Sequence, residues 1–324
     1  MSLLGLYAGI RADLERVEFR LAELGRSDNP LIGEINDYLF AQGGKRLRPA
    51  LLTFCARLYG DGDSDAVFWA ALVETIHTAS LVHDDIIDRT DLRRGHETVH
   101  ARWGPNITVL LGDHLYIHAI NQALRTRRWE MIEILAEASG AMIEGELLEY
   151  AVSGDPGLDE KRYFEILTKK TASLFAASCR IGGLLGGADA RAAGSLAEFG
   201  THLGLAFQLI DDLLDFTGHP AELGKPIMTD LREGRITLPV IYALRRLEEP
   251  DRKELAARVA SRDRDLGTIQ RVHAAVLSSG AISEALAKAE EFTVRAKAVL
   301  SEIPPSAAAQ SLARLADFVL QRCV

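Results

Sequence analysis

Two acidic clusters with identical spacing constrain the fold of this chain more than any other feature of its sequence. Residues 84–88 read DDIID and residues 211–215 read DDLLD, so the clusters begin 127 residues apart, at positions 84 and 211. An apolar run precedes each cluster, which predicts that each lies where a buried helix reaches a cavity. Two such helices facing one cavity would bring both sets of carboxylates to a shared ligand.

The spacing within each cluster predicts a binding site for Mg²⁺. Residues four apart lie on one face of a helix, so the carboxylates of Asp84 and Asp88 should repel each other unless a cation lies between them. Carboxylate oxygens suit Mg²⁺, which takes one or two carboxylates together with substrate phosphates. Basic residues that can bind phosphate follow each cluster, namely Arg93 and Arg94 after the first and Lys225 and Arg235 after the second. A lone cluster of this kind is more often a solvated helix end, but the second copy favours a metal-bridged polyphosphate.

Helical periodicity dominates the rest of the chain. Apolar residues recur every three or four positions, as at Leu14, Val17 and Leu21. Alternating Val and Ile runs and Asn-Gly hairpin turns are absent, and no linker of changed composition divides the chain. We therefore predict an all-α fold, with residues 1–324 forming a single domain of ten or more helices packed around a central cavity. The stretch 181–188, IGGLLGGA, predicts a close approach of helices, either within the core or between subunits.

Composition and charge argue against several classes of protein. The net charge is −9 at pH 7 and no long run of Lys or Arg occurs, which argues against nucleic acid as a partner. No charge-free apolar stretch of about 18 residues is present, so we expect no membrane-spanning segment; peripheral contact with a membrane stays open. The start of the chain lacks a signal-peptide pattern, and the three cysteines are widely spaced, which predicts a cytoplasmic protein with reduced thiols.

Five motifs give the sequence a resemblance to a known family over nearly its whole length. Residues 43–49 read GGKRLRP, the two acidic clusters follow the pattern DDxxD, residues 170–171 read KT and residues 207–208 read FQ. Together they resemble the trans-isoprenyl diphosphate synthases, also called polyprenyl synthetases. The resemblance implies the isoprenoid synthase fold, a homodimer, and an enzyme that condenses isopentenyl diphosphate with an allylic diphosphate. It also implies three Mg²⁺ ions in each active site.

The same resemblance implies roles for individual residues. The Mg²⁺ ligands that it implies are Asp84, Asp88, Asp211 and Asp215. The residues that it implies for the diphosphate of isopentenyl diphosphate are Lys45, Arg48, His77 and Arg94. Those that it implies for the allylic diphosphate are Arg93, Lys170 and Lys225, with Arg235 at a position where the family commonly has Lys. The residues whose oxygens could stabilise a cation are Thr171 and Gln208.

Positions next to these motif residues lead to two further expectations. Adjacent residues on a helix point about 100° apart, so Asp85 and Asp212 should support the metal ligands instead of binding the metal themselves. Met228 stands where the family often has Gly, and His219 stands where it often has Asp. We therefore expect the loop after the second cluster to differ in its geometry.

The implied reaction needs no nucleophilic side chain. Cations would neutralise the allylic diphosphate as a leaving group, and an allylic cation would form. The double bond of isopentenyl diphosphate would attack that cation. Loss of a proton, with the released diphosphate as base, would give a chain longer by one isoprene unit. Apolar cavity walls should exclude the water that would quench the cation.

Two small residues, Ala79 and Ser80, predict a long product. They precede Asp84 by about one helical turn, beside an apolar tunnel that a bulky aromatic residue closes early in short-chain members of the family. Small residues leave the tunnel open. We therefore expect a long-chain synthase making hexaprenyl to decaprenyl diphosphate, most like octaprenyl-type synthases, as a precursor of quinone side chains.

Three alternatives stay open. A short-chain geranyl, farnesyl or geranylgeranyl diphosphate synthase would have a bulky residue in the tunnel below Ala79. A non-catalytic subunit of a heteromeric synthase would typically lack an acidic cluster or key cations, whereas both clusters are complete here. A metal-dependent phosphohydrolase of HD type would use His77, His83, Asp84 and Asp113, but it leaves GGKRLRP and the second acidic cluster without a role.

Overall fold

A computed structural model of the chain describes residues 3–60, 64–93, 95–218, 228–260 and 265–322. These residues are almost entirely helical, which confirms the predicted all-α fold of ten or more helices. The first helices along the chain are α1 (Leu3–Leu6), α2 (Arg11–Leu24), α3 (Pro30–Ala41), α4 (Leu47–Ala56) and α5 (Ser64–Ile87), with a 3₁₀ turn at Ala8–Ile10.

The later helices follow in two groups. The first group comprises α6 (Val99–Trp103), α7 (Pro105–Arg125), α8 (Trp129–Ala151), α9 (Glu160–Leu167), a π-helix at Thr168–Ala172, α10 (Ser173–Gly186) and α11 (Ala190–Thr217). The second group comprises α12 (Thr229–Glu233), α13 (Leu238–Arg246), α14 (Glu249–Ala260), α15 (Leu266–Ser278), α16 (Ala281–Ser301) and α17 (Ala307–Gln321).

A short antiparallel hairpin follows the first acidic cluster. Its strands are β1 (Leu92–Arg93) and β2 (His96–Glu97), and Leu92 pairs with Glu97 while Arg93 pairs with His96. The sequence did not predict this hairpin, because strands of two residues are too short to show the alternation of apolar and polar side chains by which strands are recognised.

The sequence explains several of the helix starts. Asn29 accepts a hydrogen bond from the backbone N–H of Leu31 at 3.0 Å, and Pro30 follows at the first helical position of α3. Asp159 caps α9 in the same way by accepting from the N–H of Arg162 at 2.8 Å. These side chains satisfy backbone donors that have no partner inside the helix.

The contacts of the chain divide it into two compact units. The first comprises Met1–Gly140, Leu174–Gly200 and Val299–Leu315. The second comprises Ala141–Ser173, Thr201–Ala298 and Ala316–Val324. The first acidic cluster lies in the first unit, and the second cluster lies in the second. A single domain over residues 1–324 stays a prediction.

Helix α5 forms the core of the first unit. It packs against α2, α4 and α7, and its side chains Trp69, Leu72 and Ile76 are fully buried. Of the helices that the structure describes, the segment Asp65–Ile87 is the one long and apolar enough to cross a membrane by length and composition alone, and 67% of its most apolar window is buried inside the fold. A buried core helix meets the same criterion.

Glycines bring α10 close to α4 within the first unit. A Cβ atom added at Gly182 would lie 2.3 Å from the carbonyl oxygen of Leu52, and one at Gly186 would lie 2.1 Å from that of Ala56. These distances are too short for any side chain. Gly182 and Gly186 of the stretch 181–188 therefore serve close helix packing within the core of the first unit.

We expect Gly182→Ala to lower the free energy of unfolding by about 1–3 kcal/mol, because the new methyl group would push α10 away from the backbone of α4. Gly194→Ala is the matched control, since Gly194 lies in α11 with no atom within 4 Å of its Cβ position. We expect this variant to gain about 0.5–1 kcal/mol from helix propensity. Urea denaturation of both variants measures the difference, and equal stabilities would contradict the close packing.

Candidate active site

The segment GGKRLRP is anchored by its central arginine. Arg46 is buried in a left-handed backbone conformation with φ of 48°. Its guanidinium donates to both carboxylate oxygens of Glu18, at 2.5 and 2.9 Å, and to Glu74 on α5 at 2.9 Å. The hydroxyl of Tyr7 donates to the carbonyl oxygen of Lys45 at 2.9 Å. These bonds hold the backbone between the two residues for which the resemblance implies diphosphate binding.

Those two residues, Lys45 and Arg48, have different surroundings. The side chain of Lys45 is exposed. The guanidinium carbon of Arg48 lies 4.6 Å from the ring centre of Phe175 on α10, so a cation–π contact fixes its position. The aromatic ring therefore orients one of the two cations.

The first acidic cluster forms the end of α5. The backbone N–H of Asp88 donates to the carbonyl oxygen of Asp84 at 2.8 Å, so the two residues are one helical turn apart as their spacing predicted. Asp85 is buried, and its carboxylate accepts a hydrogen bond from Nε of Arg93 at 2.8 Å. Burial raises the pKa of Asp85, while the charge of Arg93 acts in the opposite direction. Burial and the charge of Asp84 raise the pKa of Tyr116 to about 12.

A cavity of the first unit brings several of the predicted residues together. It is lined by Gly43 of the GGKRLRP segment, His77 on α5, Asp85 and Arg93. Leu81 is among the apolar residues that line it. Residues far apart in the sequence thus meet at one small cavity at this end of α5.

Ala79 and Ser80 have different environments. Ala79 is fully buried and belongs to an apolar cluster that includes Leu111 and Leu115 on α7. Ser80 is only partly buried, and its hydroxyl donates to the carbonyl oxygen of His77 at 2.8 Å. A larger side chain at position 79 would therefore meet packed core atoms, whereas one at position 80 would have accessible space.

The KT motif lies in the π-helix of the second unit. A Cβ atom at Gly145 on α8 would lie 2.4 Å from the backbone nitrogen of Lys170, so this glycine lets α8 approach the π-helix. The ammonium group of Lys170 forms ion pairs with Glu146, at 2.6 Å, and with Glu149. π-Helices are rare in proteins, and those that do occur are often found at functional sites. The π-helix was not predicted from the sequence, because the apolar pattern of this segment matches that of an α-helix.

A chain of hydrogen bonds joins the KT motif to the second acidic cluster. Thr171 donates to the side-chain oxygen of Gln208 at 2.9 Å, and the amide nitrogen of Gln208 donates to Asp212 at 2.9 Å. The hydroxyl of Tyr163 on α9 donates to the other oxygen of Asp212. Burial raises the pKa of Asp212 well above its usual range, and the nearby carboxylate of Asp230 adds to this effect. Tyr163 was not identified from the sequence.

The outer aspartates of the second cluster have separate partners. Asp211 forms an ion pair with Arg322 at 2.6 Å, and the guanidinium of Arg322 lies 5.0 Å from the ring centre of Phe207. Asp215 is buried, and its carboxylate accepts from the backbone N–H groups of Thr229 and Asp230, both at 3.1 Å. Asp215 thereby holds the start of α12.

Met228, the first described residue after α11 and Gly218, bonds back to α11. The backbone N–H of Met228 donates to the carbonyl oxygen of Asp215 at 2.9 Å, and Met228 has φ of 62°. Left-handed backbone favours glycine, which explains why the family often has Gly at this position. Arg235 donates to Asp230 at 2.9 Å and to Glu233, so its guanidinium binds carboxylates of its own unit.

The carboxylates of the two clusters suit Mg²⁺ chemically. Among the described residues, no three His, Cys, Asp or Glu side chains are grouped so that they could hold a metal ion by themselves. Carboxylate oxygens are hard donors, which suit a cation that completes its coordination with phosphate and water oxygens, as Mg²⁺ does. Two further residues with implied roles, Arg94 and Lys225, lie outside the described part of the chain.

We expect Arg46→Ala to lower the free energy of unfolding by about 3–5 kcal/mol, because it leaves the carboxylate of Glu74 buried without its cation. Arg11→Ala is the control, since Arg11 forms an ion pair with Glu15 in which both side chains are mostly exposed. Loss of an exposed pair costs less than about 1 kcal/mol. Denaturation with urea would contradict the anchoring role of Arg46 if both variants lost the same small amount.

Comparison with known proteins identifies the family. The model of the Polyprenyl synthetase family matches residues 29–276. The chain is 34% identical over 310 residues to the octaprenyl diphosphate synthase of Escherichia coli (strain K12), covering 96% of each chain. It is 35% identical over 291 residues to the short chain isoprenyl diphosphate synthase of Methanothermobacter thermautotrophicus, covering 89% of each.

A solved structure gives the same result. The polyprenyl synthase from Caulobacter crescentus, complexed with calcium and isoprenyl diphosphate, matches with a TM-score of 0.94 and 37% identity, covering 100% of this chain and 98% of that one. The family match, the relatives and the shared fold agree with the resemblance that the five sequence motifs carry. This chain therefore belongs to the polyprenyl synthetase family and is an enzyme that transfers prenyl groups.

Proposed function

We propose that this enzyme condenses isopentenyl diphosphate with an allylic diphosphate in a Mg²⁺-dependent reaction and makes a long-chain, octaprenyl-like diphosphate for quinone side chains. The observation that carries the long product is Ser80, a small and only partly buried residue one turn before Asp84 on α5. The octaprenyl relative supports the same length, and the calcium-bound neighbour supports use of a divalent cation.

Each group of residues has a role in this proposal. Isopentenyl diphosphate is bound by Lys45, Arg48, His77 and Arg94. The allylic diphosphate is bound by Arg93, Lys170, Lys225 and Arg235. The carboxylates that hold Mg²⁺, with three ions in each active site, are Asp84, Asp88, Asp211 and Asp215. Bound Mg²⁺ supplies positive charge that makes the diphosphate a better leaving group.

The side chains act on charge and on water. The guanidinium of Arg93, held by Asp85 at 2.8 Å, presents N–H donors to the departing diphosphate at a fixed position. Lys170 must exchange part of its ion pairs with Glu146 and Glu149 for the diphosphate. Thr171 and Gln208 direct oxygen atoms at the allylic cation, and apolar walls exclude water from it.

The proposal includes a cytoplasmic homodimer, with membrane contact limited to product release. Exposed apolar side chains on α7 support a subunit interface. Leu110, Ile117 and Leu124 recur every seven residues on one helix face and are 65%, 62% and 40% exposed. An apolar face of this kind favours burial against a partner, and a second copy of the chain is the partner that the family resemblance implies.

A short-chain synthase is the second candidate for this site. The Methanothermobacter relative, a short chain isoprenyl diphosphate synthase, favours it at 35% identity. The two candidates use the same ionisation and condensation and differ only in the depth of the tunnel. Product length therefore decides between them.

Incubation with Mg²⁺, labelled isopentenyl diphosphate and farnesyl diphosphate tests the proposed function. We expect a ladder of products that ends in one species near octaprenyl length, since no bulky side chain occupies position 79 or 80. Controls with EDTA, and with Asp84→Ala, should incorporate no label. A ladder that stops at geranylgeranyl diphosphate would support the short-chain candidate, and no incorporation with any primer would contradict the proposed function.

Ser80→Phe should shorten the final product by several isoprene units, because the aromatic ring would enter the accessible space beside Ser80. Ser80→Ala is the matched control and should leave product length unchanged. Ala79→Phe should instead lower the free energy of unfolding by about 1–3 kcal/mol, since Ala79 lies in packed core. Chromatography of the labelled products measures the lengths. An unchanged product from folded Ser80→Phe would contradict a tunnel at this position.

A further inference from the structure

Hydrogen bonds from two sides converge on the carboxylate of Asp212 in the second unit, one through Tyr163 and the other through Thr171 and Gln208. The N–H of Leu238, at the start of α13, bonds to the hydroxyl oxygen of Tyr163, and that hydroxyl donates to Asp212. Gln208 donates to the other carboxylate oxygen and accepts from Thr171, both at 2.9 Å. Tyr163, Asp212 and Thr171 are 3%, 3% and 8% exposed, and Gln208 is partly buried.

The donor and acceptor groups fix the direction of each hydrogen bond around Asp212. A backbone N–H can only donate, so the oxygen of Tyr163 accepts from Leu238 and turns its own proton towards Asp212. The amide nitrogen of Gln208, which can only donate, faces Asp212, so its amide oxygen, which can only accept, faces Thr171. The direction is therefore set at both ends of the carboxylate.

The orientation of Gln208 also determines the orientation of the Thr171 hydroxyl group. With its amide nitrogen held by Asp212, Gln208 turns its oxygen to Thr171, and the single hydroxyl proton of Thr171 is bound to that oxygen. A hydroxyl oxygen whose proton is already bound offers only lone pairs to any further partner. Lone pairs stabilise a developing positive charge, whereas a free hydroxyl proton would oppose it.

We propose that Asp212 and Tyr163 are positioning residues that set the direction of the hydrogen bonds, so that Thr171 presents only an electron-rich oxygen to the allylic cation. This inference rests on the proposed function, because it assigns the cation to the space beside Thr171. It gives the middle aspartate of the second cluster a role other than metal binding. It also adds Tyr163, which no sequence motif includes, to the machinery of the reaction.

Asp212→Asn tests the direction with almost no change in shape. The new amide group can donate to Gln208, which lets Gln208 turn over and frees the proton of Thr171. Two unreactive allylic diphosphate analogues of equal length serve as probes, one with an ammonium group where positive charge develops and one with a neutral sulfur in place of the bridging oxygen. Calorimetry in the presence of Mg²⁺ gives both affinities without turnover.

We expect the wild-type enzyme to prefer the ammonium probe, and we expect Asp212→Asn and Thr171→Val to reduce this preference at least about tenfold while the affinity for the neutral probe changes by less than about twofold. Thr171→Ser, which keeps the hydroxyl, should retain the preference. Tyr242→Phe is the matched control, since Tyr242 is also 3% exposed in the second unit and bonds to Glu160 outside this chain of hydrogen bonds.

Each outcome tests the role of a different residue. An unchanged preference in Thr171→Val would overturn the role of Thr171, and loss there with none in Asp212→Asn would overturn the role of Asp212. If Asp212→Asn does not fold, Tyr163→Phe tests the same chain, and a preference equal to that of Tyr242→Phe would overturn the inference. A wild-type enzyme that binds both probes as expected but does not elongate isopentenyl diphosphate would contradict the proposed function alone.

Discussion

The need to satisfy buried carboxylates organises both acidic clusters. A carboxylate out of contact with water must accept hydrogen bonds or pair with a cation. Asp85 meets this need with Arg93, and Asp212 meets it with Tyr163 and Gln208. In each cluster the middle aspartate therefore orients a side chain with an implied role in substrate binding. The neighbouring aspartates point elsewhere on the helix, and the division of roles follows from the 100° step between adjacent residues.

Asp211 can bind a metal ion only if its ion pair with Arg322 changes. A carboxylate that pairs with a guanidinium at 2.6 Å must share or exchange that partner when a cation binds. Lys170 faces the same exchange, since it is paired with Glu146 and Glu149. These pairs keep charged groups in place in the absence of substrate and limit the cost of burying them. Substrate and metal then replace partners that are already nearby.

The sequence predicted the helical fold and the residue types of the candidate site because both depend on local patterns. Periodicity reports helices directly, and the clusters, GGKRLRP and KT are short motifs. Contacts between distant residues left no such pattern. The bonds of Arg46 to Glu18 and Glu74, the cap that Asp215 forms on α12, and the bond of Tyr163 to Asp212 depend on tertiary packing. The conformation at Met228 was predicted only in part. The departure from a glycine common in the family indicated altered loop geometry, but it did not indicate the φ of 62°.

A crystal structure with Mg²⁺ and an unreactive allylic diphosphate is the most direct test of this division of roles. We expect Mg²⁺ about 2.1 Å from oxygens of Asp84, Asp88, Asp211 and Asp215, with Asp85 still bound to Arg93 and Asp212 still bound to Gln208. Coordination of Mg²⁺ by Asp85 or Asp212, with release of Arg93 or Gln208, would contradict it.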